Sequence, residues 1–265
     1  MVHRSPCPLP ECVESPLLRS GGFRHAFATR RGGVSEPPFD TLNLSASVGD
    51  APSAVLENLR RASGYLDITP DRLYVISQVH GTTAVVLDGP ESQGDVARQT
   101  GDILVTRRPG VACAVRTADC VPVLLGDRRT GAVAAIHAGW RGTAARIIEV
   151  GVGALRELTG TPVNIVAALG PHIESCCFEV GEEVAAALAG CSIAGSRVVH
   201  RDTGHPRVDL RGILRAQLLE AGVEDGAIED VVGCTVCDRA RFFSFRRDGA
   251  RTGRMLAAIV ARGAA

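Results

Sequence analysis

Three observations predict a single mixed α/β domain. The chain has 265 residues, a length that suits one large domain with a substantial core. Short apolar runs alternate with segments whose apolar residues recur at helical spacing. No internal repeat or low-complexity linker divides the chain. The expected organisation is an N-terminal arm over 1–21 and one catalytic domain over 22–265.

The elements follow in order. The arm carries Pro6, Pro8, Pro10 and Pro16 and few periodic apolar positions. Arg30 to Ser35, followed by Pro37 and Pro38, reads as a loop. A helix is expected from about Pro52 to Ala62, capped by Asp50 or Ser53, with Val55, Leu59 and Ala62 on one face. Strands are expected at Val75–Val79, Val111–Arg116 and Val121–Leu125, and Ala132–Ile136 reads as a buried strand. Gly139 to Gly142 turns the chain into a long helix bearing Ala144, Ile147, Ile148, Gly151, Leu155 and Leu158 on its apolar face. Val163–Leu169 reads as a strand. Helices are expected at Glu182–Leu188 and at Leu210–Ala221, the latter capped by Asp209, and strands Ile228–Val232 and Met255–Val260 complete the sheet.

Acidic and basic residues number 29 each, so no global field draws the chain to nucleic acid or an anionic membrane. Every basic residue is arginine, which excludes Schiff-base and lysine general-base mechanisms. No apolar run approaches the roughly 20 residues of a membrane helix. Met1–Pro10 lacks the apolar region of a signal peptide. The nine cysteines are therefore expected as free thiols in a reducing cytoplasm.

Chemistry concentrates where three apolar runs end. Gln78-Val79-His80-Gly81 closes one run. Thr117-Ala118-Asp119-Cys120-Val121-Pro122 places an acid and a thiol between two. Ala135-Ile136-His137-Ala138-Gly139-Trp140-Arg141-Gly142 closes the third at a glycine-rich turn. A cysteine and two histidines make a catalytic zinc shell whose fourth position stays open. Their separations are too long for a zinc-finger knuckle and suit ligands delivered by separate strands. Taken singly, a strand-end histidine is more often a satisfied polar group, and a lone cysteine a small core residue.

The strings QVHG (78–81), TADCVPVLL (117–125) and HAGWRGT (137–143) resemble the YfiH/YlmD family of laccase-domain proteins and peptidoglycan editing factors. The resemblance extends to TRRGGVSEPPFDTLNLS (29–45), VGD (48–50), ENLRR (57–61), GDILVT (101–106), LGPHIESCCFEVG (169–181) and FFSFRRDGARTGRM (242–255). It covers about residues 22 to 262. It implies a single-domain α-β-β-α sandwich of the YfiH/CNF-like type, akin to some bacterial cysteine-hydrolase toxins, with one zinc ion held by His80, Cys120 and His137. It also implies purine nucleoside phosphorolysis (adenosine, inosine, guanosine, methylthioadenosine), adenosine deamination, or removal of serine-containing muropeptide precursors in peptidoglycan synthesis.

Physical chemistry weighs these activities. A multicopper oxidase needs more histidines than the seven present, and only Met1 and Met255 are offered as axial methionine, so copper chemistry is not expected. Deamination needs an activated water and a carboxylate that moves protons. Asp119 serves only if the backbone turns there, because neighbouring strand residues face opposite ways. Asp102 is the other acid, or a partner that orients a histidine. Phosphorolysis needs cations for phosphate, and arginine must supply them. The candidates are Arg30, Arg31, Arg141, Arg246 and Arg254, with Asn43 for a ribose hydroxyl or as a turn former.

The remaining features are read more plainly. Cys234-Thr235-Val236-Cys237 has no second pair at matching spacing, so no structural metal site is expected there. Cys176 and Cys177 read as free thiols near the pocket. Trp140 reads as a base-stacking or a structural indole. Phe178 and Phe245 stand where the family usually has tyrosine, and His172 where it has a small residue; these bear on specificity. The expected partners are nucleoside and phosphate, without nucleic acid or membrane, and a monomer is favoured. The competing scheme is a cysteine hydrolase with Cys120 as nucleophile and His137 or His80 as base.

Overall fold

The computed structural model describes residues 10–160, 164–201 and 204–264. Residues 1–9 of the expected arm and Val163 of the expected Val163–Leu169 strand lie outside them. A five-stranded sheet runs in the order β1 (Cys12–Val13), β2 (His25–Ala28), β13 (Met255–Val260), β6 (Ala112–Thr117), β3 (Leu73–Tyr74). A six-stranded sheet runs β12 (Ile228–Asp230), β9 (Ile165–Leu169), β7 (Val121–Asp127), β8 (Val133–Ala138), β5 (Ile103–Thr106), β4 (Ala84–Leu87). A two-stranded ribbon pairs β10 (Val199–His200) with β11 (Arg207–Val208).

Side-chain alternation stacks these sheets into layers. Cys113 and Val115 of β6, with Ala257 and Ile259 of β13, face Leu104, Leu124, Val133, Ala135, Val166 and Ala168 of the other sheet in one cluster. The intervening residues Ala112, Ala114, Leu256, Ala258 and Val260 meet Leu59, Ala62 and Tyr65 on helix α2 (Pro52–Tyr65). On the far side, Val123, Leu125, Ala134, Ile136, Ala167 and Leu169 are covered by Ile147, Ile148, Val152, Leu155, Leu210, Ile213 and Leu214. Those belong to α5 (Ile147–Thr159) and α7 (Leu210–Glu220). The order helix, sheet, sheet, helix is the expected sandwich. Leu104 and Leu124 are fully buried between the sheets; truncating either to alanine costs about 2–5 kcal/mol. No helix among the described residues is long and apolar enough to cross a membrane.

Four local expectations need correction. Neither Asp50 nor Ser53 caps α2: its N-cap is Ala51, without a side-chain bond, and Pro52 opens the helix. The Asp50 carboxylate is occupied by the Ser35 hydroxyl, the Asn43 amide and the Ala51 N–H. Val75–Val79 is not a strand; β3 ends at Tyr74. Beyond it the Gln78 side chain takes the place of a neighbouring strand, donating to Arg116 O and accepting from Arg116 N, both at 2.8 Å.

The long helix after Gly139 is two helices, α4 (Trp140–Ala144) and α5, separated where Arg146 enters the left-handed region at φ 59°. Its guanidinium bridges Glu149, Glu220 and Cys191 O, which holds the break. The last expected strand before residue 255 stops at Asp230. By contrast Asp209 caps α7 as read, accepting from Gly212 N at 3.0 Å. The described part of the arm forms β1 and the short helix α1 (Pro16–Ser20), whose Leu18 is fully buried. The remaining helices are α3 (Gln93–Arg98), α6 (Glu182–Ala189) and α8 (Phe245–Asp248).

Candidate active site and metal centre

Register brings four strand termini to one end of the sandwich. Thr117 at the end of β6 pairs with Met255 at the start of β13, and Val121 at the start of β7 pairs with Ala138 at the end of β8. The three-residue link between β6 and β7 carries Asp119 and Cys120. His137, on the same parity as Val133 and Ala135, points between the sheets. His80 arrives from the irregular segment after β3. The nitrogen and sulfur donors of His80, Cys120 and His137 all lie within 4.8 Å of one another, and the two imidazoles meet edge-on with centroids 4.8 Å apart.

Asp102 organises this geometry. Fully buried, it accepts from the backbone N–H of Val79, His80 and Gly81 at 3.2, 3.0 and 2.6 Å. Those bonds fasten His80 at φ 60°, a left-handed conformation that ordinarily costs a non-glycine residue about 1–3 kcal/mol. The same carboxylate lies 2.7 Å from His137 Nδ1, which directs the Nδ1 proton to Asp102 and leaves Nε2 for a metal. Burial alone would raise the Asp102 carboxyl. Hydrogen bonds from His137, Gly81 and His80 overcome it and hold the group below the usual range. Asp102 thus bonds His137 and the His80 turn at once.

Glycine makes room for the cluster. A β-carbon at Gly139 would stand 2.9 Å from His80 Cδ2 and 3.2 Å from Cys120 Sγ, and one at Gly142 would stand 2.9 Å from Gly81 O. The glycine spacing of HAGWRGT is therefore set by close approach of the turn to the site.

The donor set fits a metal ion. Bonds of about 2.0–2.3 Å to nitrogen and sulfur place tetrahedral ligands roughly 3.3–3.8 Å apart, within the 4.8 Å envelope of the three donors. One imidazole tautomer is already fixed from outside the shell. His80 is exposed and Cys120 half-buried, so one side opens to the cavity. Without an ion, burial opposes ionisation of Cys120, yet attraction to His137 and hydrogen bonds from His137 and His80 draw the thiol down to about 6. Burial likewise opposes charge on His137, but Cys120 and Asp102 raise it to about 9.

A cavity of about 620 Å³ opens over these donors, lined among others by Ser45, Ser47, Arg116, Asp119, Phe178, Phe245, Arg246 and Arg254. That volume is in the range of small-molecule sites, about 300–1,000 Å³. The backbone does turn at Asp119, where φ is 103°, and the carboxylate lines the cavity. Its oxygens accept from Thr235 Oγ1 and Arg246 N, both at 2.6 Å, which ties the 231–248 loop to the link that carries Cys120.

The structure sorts the expected arginines. Arg246 and Arg254 line the cavity, whereas Arg30 and Arg31 line a separate one with Asp40 and Asp248. Arg30 pairs with Asp40, and Arg31 with Glu11. Arg141 is exposed and stacks on Trp140, which packs against the helical layer. Asn43 is fully buried and acts as a turn former: it donates to Ser45 O and Asp50 and accepts from Ser45 N and Arg254 N. It places Arg254 without facing the cavity.

Arg116 is a cavity-lining cation that the sequence reading misses. Burial, and then Arg254, depress its guanidinium below the ordinary range, and burial does the same to Arg254. Among the described residues neither forms a carboxylate ion pair. The signal was a single charge in the otherwise apolar run Ala112–Thr117. His172 is buried, its Nδ1 2.9 Å from Gly170 O, and burial pushes it down to about 4.

Comparison with known proteins follows this geometry. The family model described as multi-copper polyphenol oxidoreductase laccase matches residues 24–262. A purine nucleoside phosphorylase of Streptomyces coelicolor is 41% identical over 234 residues, covering 88% of this chain and 93% of that protein. One from Deinococcus radiodurans is 41% identical over 246 residues, 92% of each chain. The crystal structure of YlmD from Geobacillus stearothermophilus superposes with TM-score 0.84 at 34% identity, covering 94% of both chains. The hypothetical protein YfiH of Bacillus licheniformis superposes with TM-score 0.84 at 32% identity, covering 89% of this chain and 92% of that one. The match from residue 24 to 262, with the shared fold, establishes that the chain belongs to the YfiH/YlmD, laccase-domain family.

Proposed function

We propose that the protein is a zinc-dependent purine nucleoside phosphorylase acting in the cytoplasm on adenosine, inosine, guanosine and methylthioadenosine. One observation carries this reading. A single cavity combines the open His80–Cys120–His137 donor set with two guanidinium groups, Arg116 and Arg254, neither of which forms a carboxylate ion pair among the described residues. Inorganic phosphate is a bidentate acceptor for such groups. The names of the Streptomyces and Deinococcus relatives support the same reaction.

In this scheme Arg116 and Arg254 hold phosphate against the sugar, and a phosphate oxygen forms the new bond to C1′. The C1′–N9 bond breaks, its electron pair leaves with the purine, and the purine takes up the proton that hydrogen phosphate gives up. Phe178 and Phe245 line the cavity and supply apolar contact for the base, and the Ser45 and Ser47 hydroxyls present donors for the ribose. Held by His80, Cys120 and His137, the ion supplies Lewis-acid polarisation. Deamination of adenosine by water, releasing ammonia, is a second activity of the same cavity, with the Asp119 carboxylate moving protons.

A second reading has its own observation. The Cys120 thiol lowered to about 6 beside a His137 raised to about 9 is a thiolate–imidazolium pair suited to a cysteine hydrolase, with a serine-containing muropeptide precursor as substrate. The test is nucleobase release from adenosine, inosine and methylthioadenosine, with and without phosphate, beside Cys120→Ala. Phosphate-dependent release that the variant loses supports the phosphorylase. No turnover of any nucleoside, with cleavage of the muropeptide, establishes the hydrolase instead.

A further inference from the structure

The vicinal pair Cys176-Cys177 and the Cys234-x-x-Cys237 pair, unrelated in sequence, meet in space. Cys176 Sγ lies 3.6 Å from Cys177, 3.6 Å from Cys234 and 3.7 Å from Cys237, and Cys177 lies 3.4 Å from Cys237. All four sulfurs fall within 4.8 Å of one another, and all four thiols are free. We propose that Cys176, Cys177, Cys234 and Cys237 form a second metal site, a tetrathiolate centre for one zinc ion that joins the 170–181 and 231–248 loops.

The geometry is that of a tetrahedron without its centre. Zinc–sulfur bonds of about 2.3 Å put the four thiolates roughly 3.8 Å apart, close to the observed separations. Mutual contact of four sulfurs is not what two disulfides need, since each bridge brings only its own pair together, at about 2.05 Å. Four soft thiolates and no oxygen or nitrogen ligand select a zinc-like ion over magnesium or calcium.

The surroundings suit an anionic complex. Arg246 reaches Cys177 O and Glu179 O, and Arg247 reaches Thr235 O and Val236 O, placing two cations beside a centre of net charge about −2, the sum of four thiolates and one divalent ion. Cys234 is buried, while Cys176 and Cys237 are exposed, so an ion enters from solvent without unfolding.

The position gives the site a structural task. The first loop carries Ile173 and Phe178 to the cavity wall, and the second leads through Thr235, bonded to Asp119, to Phe245 and Arg246. Besides the sulfurs, the loops are joined by Gly233, Cys234 and Thr235, which meet Glu174 and His172, and by Arg246, which reaches Cys177 O and Glu179 O. An ion there fixes the wall that faces the His80–Cys120–His137 site, whatever reaction that site performs.

The test is metal stoichiometry of the full chain, reduced, chelator-treated and then reloaded with zinc or cobalt. In Cys120→Ala/His137→Ala, which lacks the first donor set, one equivalent of zinc is expected. Its cobalt form is expected to show strong thiolate-to-metal charge transfer with tetrahedral ligand-field bands. Adding Cys176→Ser and Cys237→Ser, both at exposed positions, is expected to remove that equivalent and the spectrum. The unsubstituted protein gives an independent reading, two cobalt ions per chain with one rich in sulfur character. A single equivalent in the unsubstituted protein, undiminished by Cys176→Ser/Cys237→Ser, overturns the proposal. So does cobalt bound without thiolate charge transfer in the Cys120→Ala/His137→Ala protein.

Discussion

Replacing Asp102 by asparagine keeps the shape of the side chain and removes its charge. In the native protein one carboxylate oxygen takes His80 N–H and His137 Nδ1–H, and the other takes the Val79 and Gly81 N–H groups. Asparagine offers one accepting oxygen, so either orientation turns an NH₂ group against two donors. If the oxygen stays with Val79 and Gly81, His137 must move its proton to Nε2 and lose the lone pair a metal needs. If it stays with His137 and His80 N–H, the turn loses the Val79 and Gly81 bonds.

Two bonds to a buried carboxylate are lost either way, about 1.5–3 kcal/mol each, hence roughly 3–6 kcal/mol of stability. Loss of such a ligand-orienting partner typically lowers metal affinity about 10–100-fold. Zinc affinity is measured by chelator competition and stability by urea unfolding. Unchanged zinc affinity in a folded Asp102→Asn protein would refute the claim that Asp102 sets the ligand tautomer.

Three further outcomes are expected. Gly139→Ala places a methyl group 2.9 Å from His80 Cδ2 and should lower zinc affinity without a comparable loss of stability, read by the same chelator titration and urea midpoints. Arg116→Gln and Arg254→Gln should each raise the phosphate KM by about tenfold or more, a charge-assisted bond being worth about 1.5–3 kcal/mol. The nucleoside KM should move less, and steady-state kinetics separates the two. His172, held down to about 4 from 6.5, binds its proton more readily when unfolded. Its contribution to stability is complete above about pH 6.5 and is lost as pH falls toward 4. Between about pH 7 and pH 5.5 the loss is about 1 kcal/mol, seen in urea midpoints and absent in His172→Asn.

The parts of this molecule legible in its sequence are those set by local chemistry. Apolar runs at 112–117, 121–127, 133–138 and 255–260 mark central strands because both faces of each are buried. Cys120 and His137 stand out because each adjoins or lies at the end of such a run, and His80 because it stands between Val79 and Gly81. What stays hidden depends on pairing between distant segments. Arg116 joins Arg254 only because β6 lies beside β13 in the observed register. Arg30 is diverted because its own loop supplies Asp40 as partner. The four-cysteine cluster needs residues 176 and 237 side by side, which no spacing announces. Val75–Val79 misleads because the Gln78 side chain imitates a strand edge.

The most direct test of the account is phosphorolysis of inosine measured against zinc occupancy of the His80–Cys120–His137 site, starting from chelated, reduced protein. The account predicts formation of hypoxanthine and ribose 1-phosphate that rises in proportion to occupancy and is absent in Cys120→Ala. Highest activity in the chelated protein, falling as zinc is restored, would contradict it and assign Cys120 as a nucleophile.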